Sequence, residues 1–297
     1  MAETSAFERA ARAHIASRGS KGTRDLYAAD LDGWLAWCAQ RQCDPSRPTL
    51  QAATDYRDEL KGRLAALTVR RTMSALSSIY EAALGFEQPL VTWNPWKRLP
   101  RPPADAFTQT EAVSDSVAAA VIAAAERDDS SAGLRDAAVL RLMHDTGLRV
   151  SSVVSIRRED VFRRGDQMVV RVLVKGGRRE ETEVPEPAAA AVDRWLAIAP
   201  PSVFLFPARG GKKHMVTKAV NKRLDTRARE AGVGHVHPHQ FRSAFATAGF
   251  DAGKALHEVQ RAMHHLSPLT TLRYDRGQRG TGVTNAIAEF RKGKGRR

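Results

Sequence analysis

Four residues with hydrogen-bonding or nucleophilic side chains lie at short intervals in the last third of this 297-residue chain: His239, Arg242, His265 and Tyr274. His239 and Arg242 are three apart, so a helix would place them on one face. An arginine fork pairs with phosphate oxygens, a histidine donates to a phosphate or transfers a proton, and a tyrosine hydroxyl can attack phosphorus and hold the product covalently. No Asp or Glu lies between residues 240 and 250 to bind a metal ion. The set therefore predicts phosphodiester transfer in which arginines carry the charge.

Two upstream segments contain cations that could serve the same chemistry. The string Asp145-Thr146-Gly147-Leu148-Arg149 places Arg149 where one helix should end at a glycine and another begin. A helix start disfavours a cation, so this placement makes sense beside a bound phosphate. Residues 167–184 alternate like two strands, and the turn Lys175-Gly176-Gly177-Arg178 joins them, so Lys175 lies at a hairpin tip within reach of a ligand. Taken singly, a turn lysine, a helical histidine or a tyrosine is more often a surface or packing residue.

The combined pattern resembles the tyrosine recombinases of the phage-integrase family. The string that ends at Arg149 resembles the first arginine motif of the family, and His239-x-x-Arg242 followed by His265 and Tyr274 resembles its C-terminal signature. The resemblance covers nearly the whole chain, strongly over residues 146–274 and weakly before residue 94. It implies that the substrate is double-stranded DNA with a specific recombination site, and that protomers assemble, as a tetramer in the synaptic complex. It implies neither a metal ion nor ATP.

By this resemblance, Tyr274 would attack the scissile phosphate and leave a 3′-phosphotyrosyl bond and a free 5′-hydroxyl. The 5′-hydroxyl of a second strand would reverse the step and thereby exchange strands. Two arginines would hold the non-bridging oxygens, whose charge grows in the transition state. Two histidines would hydrogen-bond the phosphate, the first of them being the better candidate for the base, and a lysine would be the general acid. The implied catalytic residues are Tyr274, Arg149, Lys175, His239, Arg242 and His265.

Three positions depart from the family pattern. An acidic residue usually follows the first arginine by three positions, and this chain has Ser152 there. We therefore expect a weaker orienting contact, or one made by another residue. A glycine usually precedes the histidine of the third motif, where this chain has His264. Ser243 stands where a second histidine commonly follows the second arginine, and we expect little consequence from it.

The composition suits a polyanionic partner, although basic surfaces also occur simply for solubility. The chain has 47 Lys+Arg against 33 Asp+Glu, a formal net charge of +14 and a sequence pI near 10.3. Its two cysteines, Cys38 and Cys43, have no zinc-like partners, so we expect reduced thiols in a cytoplasmic protein. No signal peptide is expected at the start, and the longest apolar run, residues 117–125, is too short to span a bilayer.

The periodicity predicts a mostly α-helical protein with a small β-hairpin sheet. Together with this pattern, the family resemblance implies a helical core-binding (SAM-like) domain over residues 1–93, a basic proline-rich linker over 94–105, and a mixed α/β catalytic domain over 106–297, which would form a clamp on DNA. Four helices are predicted before residue 85. The second of these has an apolar stripe that comprises Leu26, Leu31, Trp34, Leu35 and Cys38. Four prolines between residues 95 and 103 should exclude a helix and favour an extended connector.

Several cations are candidates for contacts with the DNA backbone, although ordinary solvated charge is the alternative for each. They are Arg70, Arg71, Lys97, Arg98, Arg101 and Arg178. After Tyr274, the residues Val283, Ala286, Ile287 and Phe290 predict a small amphipathic helix that could dock on a neighbouring protomer. Residues 291–297 predict a basic tail.

Two other functions and one other kind of site are compatible with parts of this pattern. A type IB topoisomerase uses similar Tyr, Arg and Lys chemistry, but would relax plasmids without sequence preference. A catalytically silent DNA-binding protein could keep the fold and retain the tyrosine only for packing. The alternation of His235, His237 and His239 is weakly compatible with a metal site, because no Cys or nearby carboxylate accompanies it.

Overall fold

The computed structural model describes residues 5–103, 111–174 and 177–275. The chain divides into two compact units, Met1–Thr108 and Gln109–Arg297, which we call the N-terminal and C-terminal units. The fold is mostly helical with one small antiparallel sheet, as predicted. None of the helices within the described ranges is long and apolar enough to cross a membrane. The predicted helix at residues 283–290 and the basic tail lie outside the described residues.

The N-terminal unit contains the four helices that the periodicity predicts. They are α1 (Ala6–Ala16), α2 (Lys21–Gln40), α3 (Leu50–Arg63) and α4 (Ala66–Leu84). Ser5, Ser20 and Thr49 precede the first three helices, and each side chain accepts a hydrogen bond from a backbone N–H of the first turn. These caps satisfy donors that the helix itself leaves unpaired, which is why the helices begin where they do.

Aromatic residues fill the core of the N-terminal unit. Trp34 is fully buried, and its indole Nε1 donates a hydrogen bond of 2.8 Å to the hydroxyl of Tyr80. Leu31 and Cys38 are buried as predicted, but the expectation for Leu26 is wrong, because its side chain is 49% exposed. At 3.6 residues per turn, Leu26 lies about 140° around the helix from Leu31, outside the buried stripe.

The predicted connector begins as part of the N-terminal unit. Pro95–Lys97 forms a 3₁₀ turn, and Trp96 is 1% exposed within the aromatic core. Asn94 Nδ2 donates to the carbonyl oxygen of Ser77 on α4 at 2.9 Å. The expectation of an extended chain is therefore wrong for this part, because a proline fits the first position of a helical turn and burial of a tryptophan stabilises it.

The C-terminal unit places eight helices and a three-stranded sheet within the described residues. The helices are α5 (Asp115–Glu126), α6 (Ser131–Thr146), α7 (Val150–Val154), α8 (Glu186–Ile198), α9 (Thr217–Glu230), α10 (Pro238–Asp251), α11 (Leu256–Ala262) and α12 (Pro268–Leu272). The strands are β1 (Val161–Arg164), β2 (Gln167–Leu173) and β3 (Arg179–Val184). Strand β1 was not predicted, and Phe204 forms only an isolated bridge to Arg157.

Strands β2 and β3 form the predicted antiparallel hairpin, with Leu173 paired to Arg179 near the turn. Met168, Val170, Val172 and Val174 are all buried, as the alternation predicts. Beyond β2, the N–H of Val174 donates to the carbonyl oxygen of Arg178 at 2.8 Å. Lys175, the predicted general acid, and Gly176 lie outside the described residues.

Helix α6 ends at Gly147, whose φ of +63° is left-handed. A Cβ atom at this position would lie 2.4 Å from a ring carbon of Phe245, so the turn requires glycine sterically as well as conformationally. The chain reverses here, and Arg149 becomes the residue that precedes α7. The sequence therefore fixes Arg149 at the start of a helix, as predicted.

Candidate active site

Five of the predicted catalytic residues converge in the C-terminal unit. Arg149 comes from the turn between α6 and α7, His239 and Arg242 from α10, and His265 and Tyr274 from the segment around α12. The Tyr274 hydroxyl oxygen lies 3.3 Å from Nε2 of His239. The rings of His265 and Tyr274 are nearly parallel, with an interplanar angle of 9° and centroids 6.0 Å apart. The tyrosine is therefore placed between two imidazoles.

A capping box fixes the first turn of α10. The His237 ring accepts a hydrogen bond of 3.2 Å from the backbone N–H of His239, and Gln240 Oε1 accepts one of 2.7 Å from the N–H of His237. Pro238 occupies the first helical position, where its missing N–H has no cost. This start sets the rotation of the helix and directs His239 and Arg242 to one side. His237 is thus a helix cap, and His235 pairs with Asp225 at 2.7 Å.

Arg242 is 2% exposed and joins two separate segments of the chain. One terminal nitrogen donates to the carbonyl oxygen of Gly147 and the other donates to that of Met263 at 2.6 Å. Burial lowers the pKa of Arg242 to about 9, and the positive charge of Arg149 acts in the same direction. The guanidinium still remains protonated at neutral pH, and its Nε has no hydrogen-bond partner among the described residues.

Arg149 is half-buried, and no hydrogen bond joins its guanidinium to any residue that the structure describes. It lines a cavity of about 370 Å³ together with His239 and Arg242. It also lines a second cavity of about 490 Å³, which reaches Leu173 and Val174 at the end of β2. Burial lowers the pKa of Arg149, and the nearby Tyr274 opposes that effect. Two guanidiniums thus meet at one cavity, an arrangement that suits a bound phosphate.

His265 is buried beside a residue that the sequence analysis missed. Its Nδ1 lies 2.8 Å from Oγ1 of Thr271, which is fully buried on α12. This contact fixes the orientation of the imidazole. Burial lowers the pKa of His265 to about 3, with the positive charges of Arg242 and Arg149 acting in the same direction. The ring is therefore neutral at physiological pH. The sequence contained one signal for this contact, because Thr271 has a hydroxyl group and lies three positions, about one helical turn, before Tyr274.

His239 is also held in its neutral form. Desolvation of the ring where it faces Tyr274 lowers its pKa, and the positive charge of Arg242 adds to this effect. A neutral imidazole can accept a proton from the phenol that it faces. Ser243, which stands where the family commonly has a histidine, donates to the carbonyl oxygen of His239 at 3.0 Å within α10.

The two other departures from the family pattern both contact the hairpin. Ser152 Oγ donates to the carbonyl oxygen of Leu173 at 2.9 Å. His264 Nε2 lies 2.8 Å from Oγ1 of Thr182 on β3. The backbone of His264 is left-handed, with a φ of +51°, which accounts for glycine as the usual residue here. The resemblance alone did not indicate either contact.

The cations predicted to contact DNA differ in their intramolecular pairing. Arg71 donates to both carboxylate oxygens of the buried Asp30, Lys97 lies 2.6 Å from Glu81, and Arg101 donates to Ser74. Arg178 lies 3.6 Å from Glu180 and stays largely exposed. Arg70 is half-buried, whereas Arg98 is exposed. Contact with DNA remains a prediction for all six.

Comparisons with known proteins identify the family of this chain. The sequence model of the phage integrase family matches residues 112–279. The tyrosine recombinase XerC of Staphylococcus saprophyticus is 30% identical over 280 residues, which cover 90% of this chain and 88% of that protein. The tyrosine recombinase XerD of Caulobacter vibrioides is 29% identical over 286 residues, 92% of this chain and 88% of that protein.

Solved structures show the same fold at low identity. A XerH site-specific recombinase bound to a palindromic difH substrate has a TM-score of 0.74 at 13% identity, with 92% of this chain and 94% of that chain covered. A lambda integrase tetramer bound to a Holliday junction has a TM-score of 0.68 at 16% identity, with 92% of this chain and 77% of that chain covered. From the family match, the XerC relative and the converging site residues, we conclude that this chain belongs to the phage integrase family of tyrosine recombinases.

Proposed function

We propose that Tyr274 is the nucleophile with which this tyrosine-type site-specific DNA recombinase cleaves and rejoins strands. The observation that carries the proposal is the distance of 3.3 Å between the Tyr274 hydroxyl and Nε2 of His239, beside the Arg149 and Arg242 guanidiniums. A nucleophile within hydrogen-bond reach of a neutral base, next to donors for a phosphate, is the arrangement that covalent phosphoryl transfer needs.

In the proposed cleavage step, the Tyr274 oxygen forms a bond to phosphorus and His239 accepts the phenolic proton. The bond from phosphorus to the 5′-oxygen breaks, and Lys175 donates a proton to that leaving oxygen. The products are a 3′-phosphotyrosyl bond and a free 5′-hydroxyl. In rejoining, a 5′-hydroxyl of the second strand attacks the phosphotyrosyl phosphorus and gives its proton to Lys175. The bond from phosphorus to the Tyr274 oxygen breaks, and His239 returns the proton to the phenolate. Each step exchanges one phosphodiester for another, so ATP is not consumed.

The two arginines supply the electrostatic part of this mechanism. Negative charge on the non-bridging oxygens grows as the fifth bond to phosphorus forms. Arg242 is held by two main-chain carbonyls, so its position is set before substrate binds. Donors that need no reorganisation stabilise the transition state most, and loss of one typically costs ~10²–10³ in rate. His265, fixed by Thr271, would donate a further hydrogen bond to the phosphate.

We further propose that the substrate is a specific site in double-stranded DNA and that four protomers act together on two such sites. The net charge of +14 suits a polyanion. The XerH structure holds a difH substrate, and the lambda integrase structure is a tetramer on a Holliday junction, which supports both parts of the proposal. The free thiols of Cys38 and Cys43 fit activity in the reducing cytoplasm.

Recombination is favoured over the two alternative functions. The relatives are recombinases, not topoisomerases, and a protein that only bound DNA would not need a neutral histidine beside a tyrosine hydroxyl. Plasmid relaxation distinguishes the enzymes. We expect relaxation only of plasmids that carry the recombination site, whereas a type IB topoisomerase would relax any supercoiled plasmid.

A nicked half-site substrate tests the nucleophile. The site can be mapped as a repeat in the DNA that flanks the gene, and the nick lets the cleaved strand diffuse away, so that the covalent protein–DNA adduct accumulates. Wild-type protein should give this adduct. Tyr274→Phe should give none and keep its DNA affinity, and the control Tyr27→Phe on α2 should behave like the wild type. An adduct that persists in Tyr274→Phe would refute the assignment.

A further inference from the structure

We propose that Thr271 is a positioning residue that fixes the tautomer of His265, so that this ring keeps its hydrogen on Nε2 and offers that N–H to the scissile phosphate. The contact of His265 with the phosphate is part of the proposed function, and the inference rests on it to that extent. The observation behind it is a contact between two buried side chains, because Nδ1 of His265 lies 2.8 Å from Oγ1 of Thr271.

The Thr271 hydroxyl can satisfy its own hydrogen in one direction only. Thr271 is 0% exposed, and His265 is the one hydrogen-bonding partner of its side chain among the residues that the structure describes. A hydroxyl has one hydrogen to donate and can also accept. If Nδ1 carried the ring hydrogen, the hydroxyl would have to accept it, and its own hydrogen would be buried without an acceptor. Folded proteins rarely leave a buried donor unpaired, so the hydroxyl donates to Nδ1.

A neutral imidazole that accepts at Nδ1 must carry its hydrogen on Nε2. Burial lowers the pKa of His265 to about 3, and the positive charges of Arg242 and Arg149 act in the same direction, so the ring has a single N–H at neutral pH. The hydrogen bond at one ring nitrogen therefore determines the state of the other. Within the described ranges Nε2 makes no hydrogen bond, so its N–H remains for the substrate.

The backbone around both residues is held, so the contact has a fixed geometry. Gln260 on α11 donates from its Nε2 to the carbonyl oxygen of His265 at 3.0 Å, and the N–H of His265 donates to the carbonyl oxygen of Gln260 at 3.0 Å. On α12, the carbonyl oxygen of Thr271 accepts a hydrogen bond of 3.0 Å from the N–H of Tyr274. Thr271 therefore holds the His265 ring through its side chain and the backbone of the nucleophile through its carbonyl.

The two imidazoles beside Tyr274 then have opposite tautomers. Nε2 of His239 lies 3.3 Å from the tyrosine hydroxyl and must be bare to accept the phenolic proton, so that ring carries its hydrogen on Nδ1. Nε2 of His265 carries a hydrogen, which suits a phosphate oxygen whose negative charge grows in the transition state. Thr271 thereby makes one histidine a donor, while the other is free to act as the base.

Nitrogen-15 NMR of the full-length protein, labelled at histidine, measures this tautomer directly. A ring nitrogen that carries hydrogen and a bare one have well-separated chemical shifts, and their couplings to the ring C–H protons distinguish Nδ1 from Nε2. The chain has nine histidines, and the signals of His265 are those that His265→Gln removes. We expect a bare Nδ1 and a hydrogen on Nε2. A hydrogen on Nδ1 would overturn the proposal and leave the assignment of Tyr274 intact.

Single-turnover cleavage of the nicked half-site measures the consequence for the reaction. Thr271→Val keeps the shape of the side chain and loses the hydroxyl. It should be roughly 10- to 100-fold slower with unchanged DNA affinity, a smaller loss than the ~10²–10³ that removal of a donor costs. Thr271→Ser restores the hydroxyl and should recover most of the rate. Thr270→Val changes the neighbouring position on α12 and is the control, which should behave like the wild type.

A variant of His265 shows whether Thr271 acts through this ring. In His265→Gln, the side-chain NH₂ group takes roughly the place of Nε2, and no tautomer has to be fixed. Thr271→Val should therefore cost nothing further in that background. A wild-type rate in Thr271→Val, or equal slowing of the wild type and of His265→Gln by Thr271→Val, would overturn the proposal. Failure of the proposed function has a different signature, a covalent adduct in Tyr274→Phe, and would overturn the role of His265 along with it.

Discussion

Nε2 of His239 lies 3.3 Å from the hydroxyl oxygen of Tyr274, with the two rings inclined at 66°. The imidazole is held neutral by desolvation and by the neighbouring Arg242, both of which lower its pKa. A neutral ring is the form that can take the phenolic proton. The pair therefore ties the nucleophilicity of the tyrosine to the protonation state of one histidine.

Cleavage should therefore lose this base only at a pH below the ordinary histidine pKa of ~6.5. Because the pKa of His239 is lowered, its basic form persists to more acidic pH, and the rate should be level from pH 7 up to the region of the Arg242 pKa, which burial lowers to about 9. The acid limb, measured with subsaturating DNA so that it reports the free protein, should have its midpoint below 6.5. His239→Gln should slow cleavage by ~10²–10⁴ and abolish this limb. If His239→Gln keeps the acid limb of the pH profile, another group is responsible for that limb. His257→Gln, which replaces a histidine outside the site, is the control and should keep the wild-type profile.

Gly147→Ala should disturb the site through Arg242. The new Cβ would lie 2.4 Å from the Phe245 ring, and the backbone is left-handed, so we expect a loss of roughly 1–3 kcal/mol in stability. The carbonyl of residue 147 is an acceptor for Arg242, so cleavage should fall even at temperatures where the variant is fully folded. Single-turnover cleavage and thermal unfolding, measured on the same preparation, check this. Gly165→Ala, in an open turn that is also left-handed, is the control for backbone strain alone.

Arg227→Met should strongly destabilise the C-terminal unit. Arg227 on α9 is buried and donates to Asp136 on α6, to Asp128 and to Glu230. Its removal would leave one carboxylate oxygen of the buried Asp136 without a partner, while Arg135 still pairs with the other at 2.8 Å, so we expect a loss of at most about 3–5 kcal/mol, the typical cost of breaking a buried ion pair. Adding Asp136→Asn should recover part of the loss. Hydrogen exchange of the α6 and α9 amides measures the free energy of opening, and protection equal to that of the wild type would contradict the expectation.

Arg98→Ala should weaken DNA binding without changing stability, whereas Arg71→Ala should lower the stability of the N-terminal unit. Arg98 is exposed, so its loss should reduce the slope of log affinity against log salt by about 0.9 per lost phosphate contact, with stability unchanged. Arg71 forks onto the buried Asp30, so its loss should destabilise the N-terminal unit. Salt titrations and urea unfolding distinguish the two. An unchanged salt slope in Arg98→Ala would remove it from the DNA-contact set.

Local rules predicted the parts of the site that depend on nearby residues. Helical spacing placed His239 beside Arg242, and Gly147 ended α6 so that Arg149 begins α7. Contacts between distant segments were not predictable in this way. The pairing of His265 with Thr271 depends on the loop geometry before α12, and the contact of His264 with Thr182 joins residues 82 positions apart. Chain periodicity contains no information about such partners.

The core showed the same limit. Proline content predicted an extended connector after residue 94, but the burial of Trp96 among the aromatic residues of the N-terminal unit outweighed that local preference. Short apolar stretches were also ambiguous, as the unforeseen strand β1 and the isolated bridge at Phe204 show. Lys175 stays a prediction from its place between β2 and β3.

The acceptors that hold Arg242 are main-chain carbonyls, those of Gly147 and Met263. A carbonyl group is present whichever side chain a residue has, so mutations near Met263 can accumulate without removing the anchor. The arginine itself has no such freedom, because a lysine offers one nitrogen and cannot span two acceptors with a planar fork. What must be kept is therefore the arginine side chain and the backbone path of its two acceptors, which the left-handed turn at Gly147 sets on one side.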